Sequence, residues 1–441
     1  MSDTIFAEST APLRAAVAIF RISGPAAGQV LETLTCRPLP TPRQAVVRRL
    51  WAGSQALIDQ AMVIWLPGPG SFTGEDMVEL HCHGGVAVRA AVQAALSDVK
   101  DVRAAAAGEF TRRAFMQGRL DLTQVEAIAD LVDAETTAQR RQALRQMDGA
   151  LGQLYEGWRS RLITALAHLE AVIDFSDEEL PADLAATVAA DCADIAAAMG
   201  AHLGDNRAGE RLREGVRVAV VGPPNAGKSS LVNLLARRDV AIVSAIAGTT
   251  RDVLEAHLDI DGLAVVVADT AGLRESQDEI EAEGIKRARR WAAGADLRVL
   301  VVDRNGLTDT AAVSDADEAD MVIVNKSDLG PRTGPCPAAA LDLSTVDGTG
   351  VEMFMTQLSA LIRKGFDAGG SVVATRARHR QGITDSRAAL SDFAAVFGDE
   401  MSLDLAAEEL RVAVRALGQL TGRVDVEDLL DVVFSDFCIG K

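Results

Sequence analysis

The stretch Gly222–Ser229 reads G-P-P-N-A-G-K-S, between the aliphatic run Val216–Val221 and the apolar-periodic Ser230–Leu235. Strand, glycine-rich loop and helix in that order leave few folds open. Glycines at these spacings let backbone N–H groups turn inward around a polyphosphate. The helix N-terminus adds further donors and the positive end of a dipole. Asn225, Ala226, Gly227, Lys228, Ser229 and Ser230 are therefore expected to line a phosphate cradle. Lys228 would reach the β- and γ-phosphates and Ser229 would hold Mg²⁺.

Downstream elements complete a nucleotide site. The segment Ser244, Ala245, Ile246, Ala247, Gly248, Thr249 and Thr250 is a candidate nucleotide loop, with Thr250 closing the Mg²⁺ shell and sensing the γ-phosphate. The strand-like run Leu263–Ala268 ends in Asp269-Thr270-Ala271-Gly272, where Asp269 would hold Mg²⁺ through water and the Gly272 N–H would touch the γ-phosphate. A run at Leu297–Val302 ends at Asp303, and one at Met321–Val324 ends in Asn325-Lys326-Ser327-Asp328. A carboxylate at Asp328 can accept from both N1–H and N2–H of guanine, a pattern adenine lacks, so the nucleotide is expected to be GTP. Leu341-Asp342-Leu343 followed by Ser344-Thr345 stands where a last base contact would fall.

One position departs from a Ras-like site. Leu273 follows Gly272 where a water-orienting glutamine is usual, and its side chain cannot do that work. Glu275, Asp278, Glu279, Glu281 and Glu283 are candidates for the role, or together make an acidic surface helix.

The 441 residues carry a formal charge of −19, so bulk attraction to nucleic acid is not expected. Two basic runs, Lys286–Arg290 and Arg376–Arg380, are either solvated helix faces or local RNA contacts. Five scattered cysteines without metal-site pairing fit a reducing cytoplasm. No window of about 18 uninterrupted apolar residues suggests a membrane span, and no secretory signal is visible at Met1–Thr4.

The expected fold class is α/β and α+β multidomain. Residues 1–118 read as a small α+β domain, with strands at Val17–Ile22, Ala61–Leu66 and Met77–His83 and a helix over Val86–Ser97. Alternation places Glu79 on the face of Met77 and His81, and sends Cys82 opposite His81 and His83, which argues against a metal site there. Residues 119–213 and 370–441 read as two halves of an all-α domain. Residues 214–369 read as an α/β unit with a mixed sheet and helices on both faces, in the simplest architecture inserted between those halves; the alternative is four domains in a row.

Besides the nucleotide motifs, the chain carries Phe20–Pro25, Ser71–Asp76, Gly108–Thr111 through Arg119–Leu122, Gln124–Leu131 and the tail Cys438-Ile439-Gly440-Lys441. Taken together, these resemble the MnmE (TrmE) family of tRNA-modification GTPases. The resemblance implies an amino-terminal domain that forms a homodimer and binds a tetrahydrofolate one-carbon donor, 5,10-methylene- or 5-formyl-tetrahydrofolate. Arg21, Glu79, Arg119 and Lys441 would contact it, Arg119 standing where the family usually has lysine. It implies K⁺ as the activating cation, held by Asn225, Ser244, Ile246 and Thr249 while paired G domains meet. Glu281 would orient the attacking water, with Lys228 and Thr250 assisting. Cys438 is either a thiol for the modification chemistry or a small buried residue. The implied partners are tRNA and MnmG, which uses FAD and NADH, and the product is an aminomethyl or carboxymethylaminomethyl group on C5 of the wobble uridine. No membrane partner is implied. Two alternatives are an Era-like ribosome-assembly GTPase, which would carry a dedicated basic RNA-binding domain, and a plain signalling switch, which leaves the tail motif without a role.

Overall fold

The computed structural model describes residues 3–11, 13–53, 56–174, 184–205, 207–238, 241, 255–269, 291, 294–306, 316–364, 373–397, 403–424, 430, 433, 434, 437 and 440, with the backbone alone at 269. The chain divides into two compact units.

The first unit takes Met1–Ala129, Gln146–Glu156 and Leu417–Lys441. Its sheet holds β1 (Thr4–Glu8), β2 (Val17–Ser23), β3 (Ala45–Ala52), β4 (Ala56–Leu66), β5 (Met77–His83) and β6 (Val102–Ala104), in the order β3-β4-β5-β2-β1-β6. Neighbours are antiparallel except β1 and β6. Period-two alternation gives the sheet two different faces. Phe20 and Ile22 of β2 and Val78, Leu80 and Cys82 of β5 share one buried cluster with α1 (Ala27–Thr35) and α2 (Val86–Ser97). Arg21, Glu79 and His81 alternate to the other face, and Cys82 lies apart from His81, as alternation requires.

On α3 (Glu109–Met116), Arg113 is only 1% exposed. Its guanidinium meets Asp3 at 3.0 Å, Glu75 at 3.1 Å and Glu109 at 3.1 Å. A buried cation needs such partners, since desolvation would otherwise dominate. Glu75 also accepts from Ser23 Oγ at 2.8 Å, so the 71–76 loop, β2 and α3 share one polar network. The carboxy-terminal segment belongs to this unit: Leu430, Phe434 and Phe437 bury themselves with Leu122 and Val125 of α4 (Leu122–Asp133), and Ser9 Oγ donates to the Gly440 carbonyl at 3.0 Å.

The second unit takes Asp130–Arg145 and Gly157–Ala416. Its sheet holds β7 (Val216–Val221), β8 (Glu255–Ile260), β9 (Leu263–Asp269), β10 (Leu297–Val302), β11 (Met321–Val324) and β12 (Leu341–Asp342), in the order β12-β11-β10-β7-β9-β8. All pairs are parallel except β8 with β9. These strands are near-continuous Val, Ile and Leu because both faces are covered. Leu231 and Leu235 of the helix Lys228–Ala236, with Phe354, Leu358 and Ile362 of Val351–Lys364, cover one face. Ala316 and Ala319 pack against Leu300, Val302 and Val322 on the other.

Around this sheet in sequence run α5 (Thr137–Met147), α6 (Ala150–Asp174), α7 (Leu184–Leu203), α8 (Ala208–Glu214), then helices Ala377–Val396 and Leu403–Thr421. The expected fold class is therefore found: an α+β part, an all-α part and an inserted α/β part. Among the described residues α7 is one helix long and apolar enough to cross a membrane, with mean hydropathy 1.4. The sequence held no uninterrupted apolar window because Asp191 and Asp194 fall inside this alanine-rich helix. Its buried row, Val188, Cys192, Ile195 and Met199, has the helical spacing of a core-facing stripe.

Candidate functional site

β7 lies between β10 and β9 and delivers the chain to Gly222. Asn225 turns the loop with φ 63° and Gly227 with φ 98°, and the helix begins at Lys228. A side chain at Gly227 could not be accommodated: a Cβ there would stand 2.0 Å from Asn325 Nδ2. Lys228 is 5% exposed, and its ammonium donates to the carbonyls of Gly222 at 2.8 Å and Pro223 at 2.7 Å. The cation is thus held inside the curve of the loop. Asn225 and Ser230 are exposed, Ser229 is half-buried on the first helical turn, and Ala226 is buried.

The end of β11 closes on this loop. Asn325 is 1% exposed; its Nδ2 donates to the Ala226 carbonyl at 2.8 Å and its Oδ1 accepts from the Thr345 N–H at 3.3 Å. Asp328 accepts from Ser344 Oγ at 2.8 Å. The same hydroxyl oxygen accepts from the N–H groups of Val346 and Asp347, which fixes its direction. Lys326 sits at φ 65° with its ammonium 4.0 Å from Asp303. Three strand ends, after β7, β11 and β12, thereby meet at one edge of the sheet, where open α/β sheets bind ligands. The Asp328–Ser344 contact was not foreseen from spacing; the serine's place after an apolar β12 was its only signal.

Asp269 ends β9, its backbone paired with Val220 two residues before the loop. Ser244, Ala245, Ile246, Ala247, Gly248, Thr249, Thr250, Thr270, Ala271, Gly272 and Glu281 lie outside the described residues, as do the side chain of Asp269 and all of Cys438 and Lys441.

In the first unit, Arg21 Nε pairs with Glu79 Oε1 at 3.0 Å, directly across the β2–β5 ladder. His81 Nε2 lies 3.2 Å from the other Glu79 oxygen, on the face that alternation gives both residues. Arg119 is exposed and its aliphatic stem flanks Gly74. The structure thus joins Arg21 with Glu79 and sets Arg119 beside the 71–76 loop.

Residues 4–119 match the family model described as GTP-binding protein TrmE N-terminus, and residues 122–438 match the MnmE helical domain. The chain belongs to the MnmE (TrmE) family. It is 52% identical to the tRNA modification GTPase MnmE of Paramagnetospirillum magneticum and 52% identical to that of Parvibaculum lavamentivorans, each over 100% of both chains. Among solved structures, the G domain of the T. maritima FeoB iron transporter is similar over 33% of this chain and 98% of that one, at 23% identity and TM-score 0.24, too little to build on.

Within this MnmE-family chain the basic run Arg376–Arg380 is neither a solvated face nor an open patch. Arg376 meets Asp130 at 2.7 Å, Arg380 pairs with Asp205 and, at 3.3 Å, with Glu210, and His379 is wholly buried. The spacing of charges along one helix does not reveal acids supplied by other parts of the chain, here α4, α8 and the turn at Asp205. Lys286–Arg290 lies outside the described residues.

Proposed function

We propose that this chain is the GTP-hydrolysing subunit of a complex that installs an aminomethyl or carboxymethylaminomethyl group on C5 of the wobble uridine of tRNA. The observation that carries the reading is the closure of Asn325 onto Ala226, with Asp328 set by Ser344, beside a loop that curls around Lys228. That arrangement suits a guanine at one end and a polyphosphate at the other. The family relationship supplies the tRNA.

Ser229 and Asp269, with Thr250, would hold Mg²⁺, a hard cation suited to hydroxyl and carboxylate oxygens. Asn225, exposed in its turn, would give K⁺ an amide oxygen, with Ser244, Ile246 and Thr249 completing the set. Those ions would neutralise phosphate charge. On the protein side, Lys228 draws the phosphates into the loop and Glu281 directs the attacking water in place of the glutamine missing at Leu273. The Arg21–Glu79 pair presents a carboxylate and a guanidinium side by side, half-buried, on the sheet face that Met77 shares. That donor set fits the amino-pyrimidine edge and acid tail of a tetrahydrofolate, with Arg119 and Lys441 completing the site.

We further place the domain limits at 1–118, 119–213, 214–369 and 370–441. The chain works as a cytoplasmic homodimer with MnmG as partner. Wobble-uridine analysis of tRNA from cells lacking this chain should show the C5 group missing. Fully modified tRNA in those cells would refute the reading. Hydrolysis measured in K⁺ and in Na⁺ tests the cation separately, and equal rates would remove it.

A further inference from the structure

Within the second unit the chain crosses into the α/β part at Arg213–Val216 and returns at Val373–Arg376. The two crossings run against each other. A Cβ on Gly209 of α8 would stand 2.3 Å from the Ala374 carbonyl oxygen, so backbone meets backbone there. Val373, Ala374 and Thr375 are buried.

One carboxylate holds both crossings. Asp130 Oδ1 accepts from Arg213 Nε at 3.0 Å and from an Arg376 guanidinium nitrogen at 2.7 Å. It lines a cavity of about 120 Å³ with Gln139, Arg213 and Thr375. The first turn of α5 adds two ties. Thr136 and Gln139 form a capping box: the Gln139 Oε1 accepts from the Thr136 N–H at 3.0 Å, and its own N–H reaches Thr136 Oγ1 at 3.4 Å. The same Gln139 donates through Nε2 to the Arg213 carbonyl at 2.9 Å. The Ala138 N–H, a donor that a helix start leaves unused, goes to the Gly262 carbonyl at 3.1 Å.

These ties sit at one end of two strands whose other end is the nucleotide site. β7 runs from the Arg213 crossing to Gly222, and β9 runs from the Gly262 turn to Asp269. Paired strands are stiff, and each spans about 20 Å. A shift of the loop end therefore moves the tied end as a body.

We propose that Asp130 is the latch of a hinge that couples nucleotide-dependent motion of the α/β domain to the helical domain. The latch rests on the GTPase reading for what drives it, but its existence does not. Asp130 is a positioning residue and touches no reacting atom.

The test uses the full-length chain with Asp130→Asn, which keeps shape and removes charge, and Arg376→Gln, which breaks one tie and leaves the carboxylate. Asp191→Asn, which opens the exposed 3.0 Å pair with Arg161, is the control. Hydrogen exchange at residues 213–218 and 373–377 should quicken by about tenfold or more in both latch variants and stay unchanged in the control. GDP affinity should stay within about threefold of the parent. GTP-dependent tRNA modification, measured with the partner complex, should fall about tenfold while single-chain hydrolysis persists. Unchanged exchange in Asp130→Asn overturns the latch. Quickened exchange with full modification overturns the coupling. A parent chain that hydrolyses no GTP overturns the functional reading instead, and the exchange comparison still decides the latch.

Discussion

Asn325 Nδ2 and the Ala226 carbonyl, 99 residues apart in sequence, are joined by a 2.8 Å hydrogen bond in a fully buried setting. The base-reading strand end and the phosphate loop are therefore one mechanical part. Asn325→Ala leaves that carbonyl without its donor, at a cost of roughly 1–3 kcal/mol. GDP affinity should fall by roughly ten- to a hundredfold in a fluorescent-nucleotide titration, and parent-like affinity would contradict the coupling.

Gly227→Ala attacks the same joint from the other side. The new Cβ would collide with Asn325 Nδ2, and φ 98° is unfavourable for alanine. Strain of about 1–3 kcal/mol is expected. Thermal melting should shift down by several degrees, and added GDP should no longer raise it. A parent-sized GDP shift would show that the loop accommodates the methyl group.

Ser344→Ala removes the donor that aims Asp328. A neutral-to-charged hydrogen bond of this kind contributes roughly 1.5–3 kcal/mol at most when buried, less at this half-buried edge. Competition of ATP against GTP should improve two- to tenfold for ATP relative to the parent. Undiminished guanine preference would mean the carboxylate is aimed by backbone alone.

The thiols should separate by burial. Burial, helped by the nearby Asp59 charge, pushes Cys82 up to about 12, and burial does the same to Cys192, while Cys36 is exposed. Only thiolate reacts. In native protein at pH 8, iodoacetamide should label Cys36 and spare Cys82 and Cys192, read by peptide mass spectrometry. Early labelling of Cys82 would mean the β2–β5 core opens.

Acid should weaken the helical part through His202. Burial holds its pKa below 6.5, with the Arg380 charge in the same direction and Asp205 opposing. The unfolded chain then takes up a proton that the folded chain resists. Stability from this group is full above pH 6.5 and is lost as pH falls through it. Urea midpoints should drop between pH 7.5 and 5.5, and His202→Phe, which keeps an edge against Trp158, should reduce the drop. An identical pH slope in that variant would clear His202.

The nucleotide loop, the strands β7, β9, β10 and β11, and the helix over Val86–Ser97 were legible because each is a local pattern of period or spacing. Strands β1, β3 and β6 were not. Short or edge strands carry little alternation: β3 is charged at Arg48 and Arg49, and β6 is three residues long. The partners of Arg113, Asp130 and Arg376 escaped for a different reason. The Arg376–Asp130 pair spans 246 residues, and nothing in either neighbourhood names the other. Ser344 was foreseen at the base, but its grip on Asp328 needed the parallel pairing of β11 with β12.

The docking of Phe434 and Phe437 on Leu122 and Val125 ties the finish of one unit to the making of the other. During synthesis, residues 157–416 must leave the ribosome before the segment that covers α4 exists. At about 5–20 residues per second that interval is on the order of tens of seconds. Through it the newborn α4 exposes an apolar stripe, with the inserted domain already able to fold.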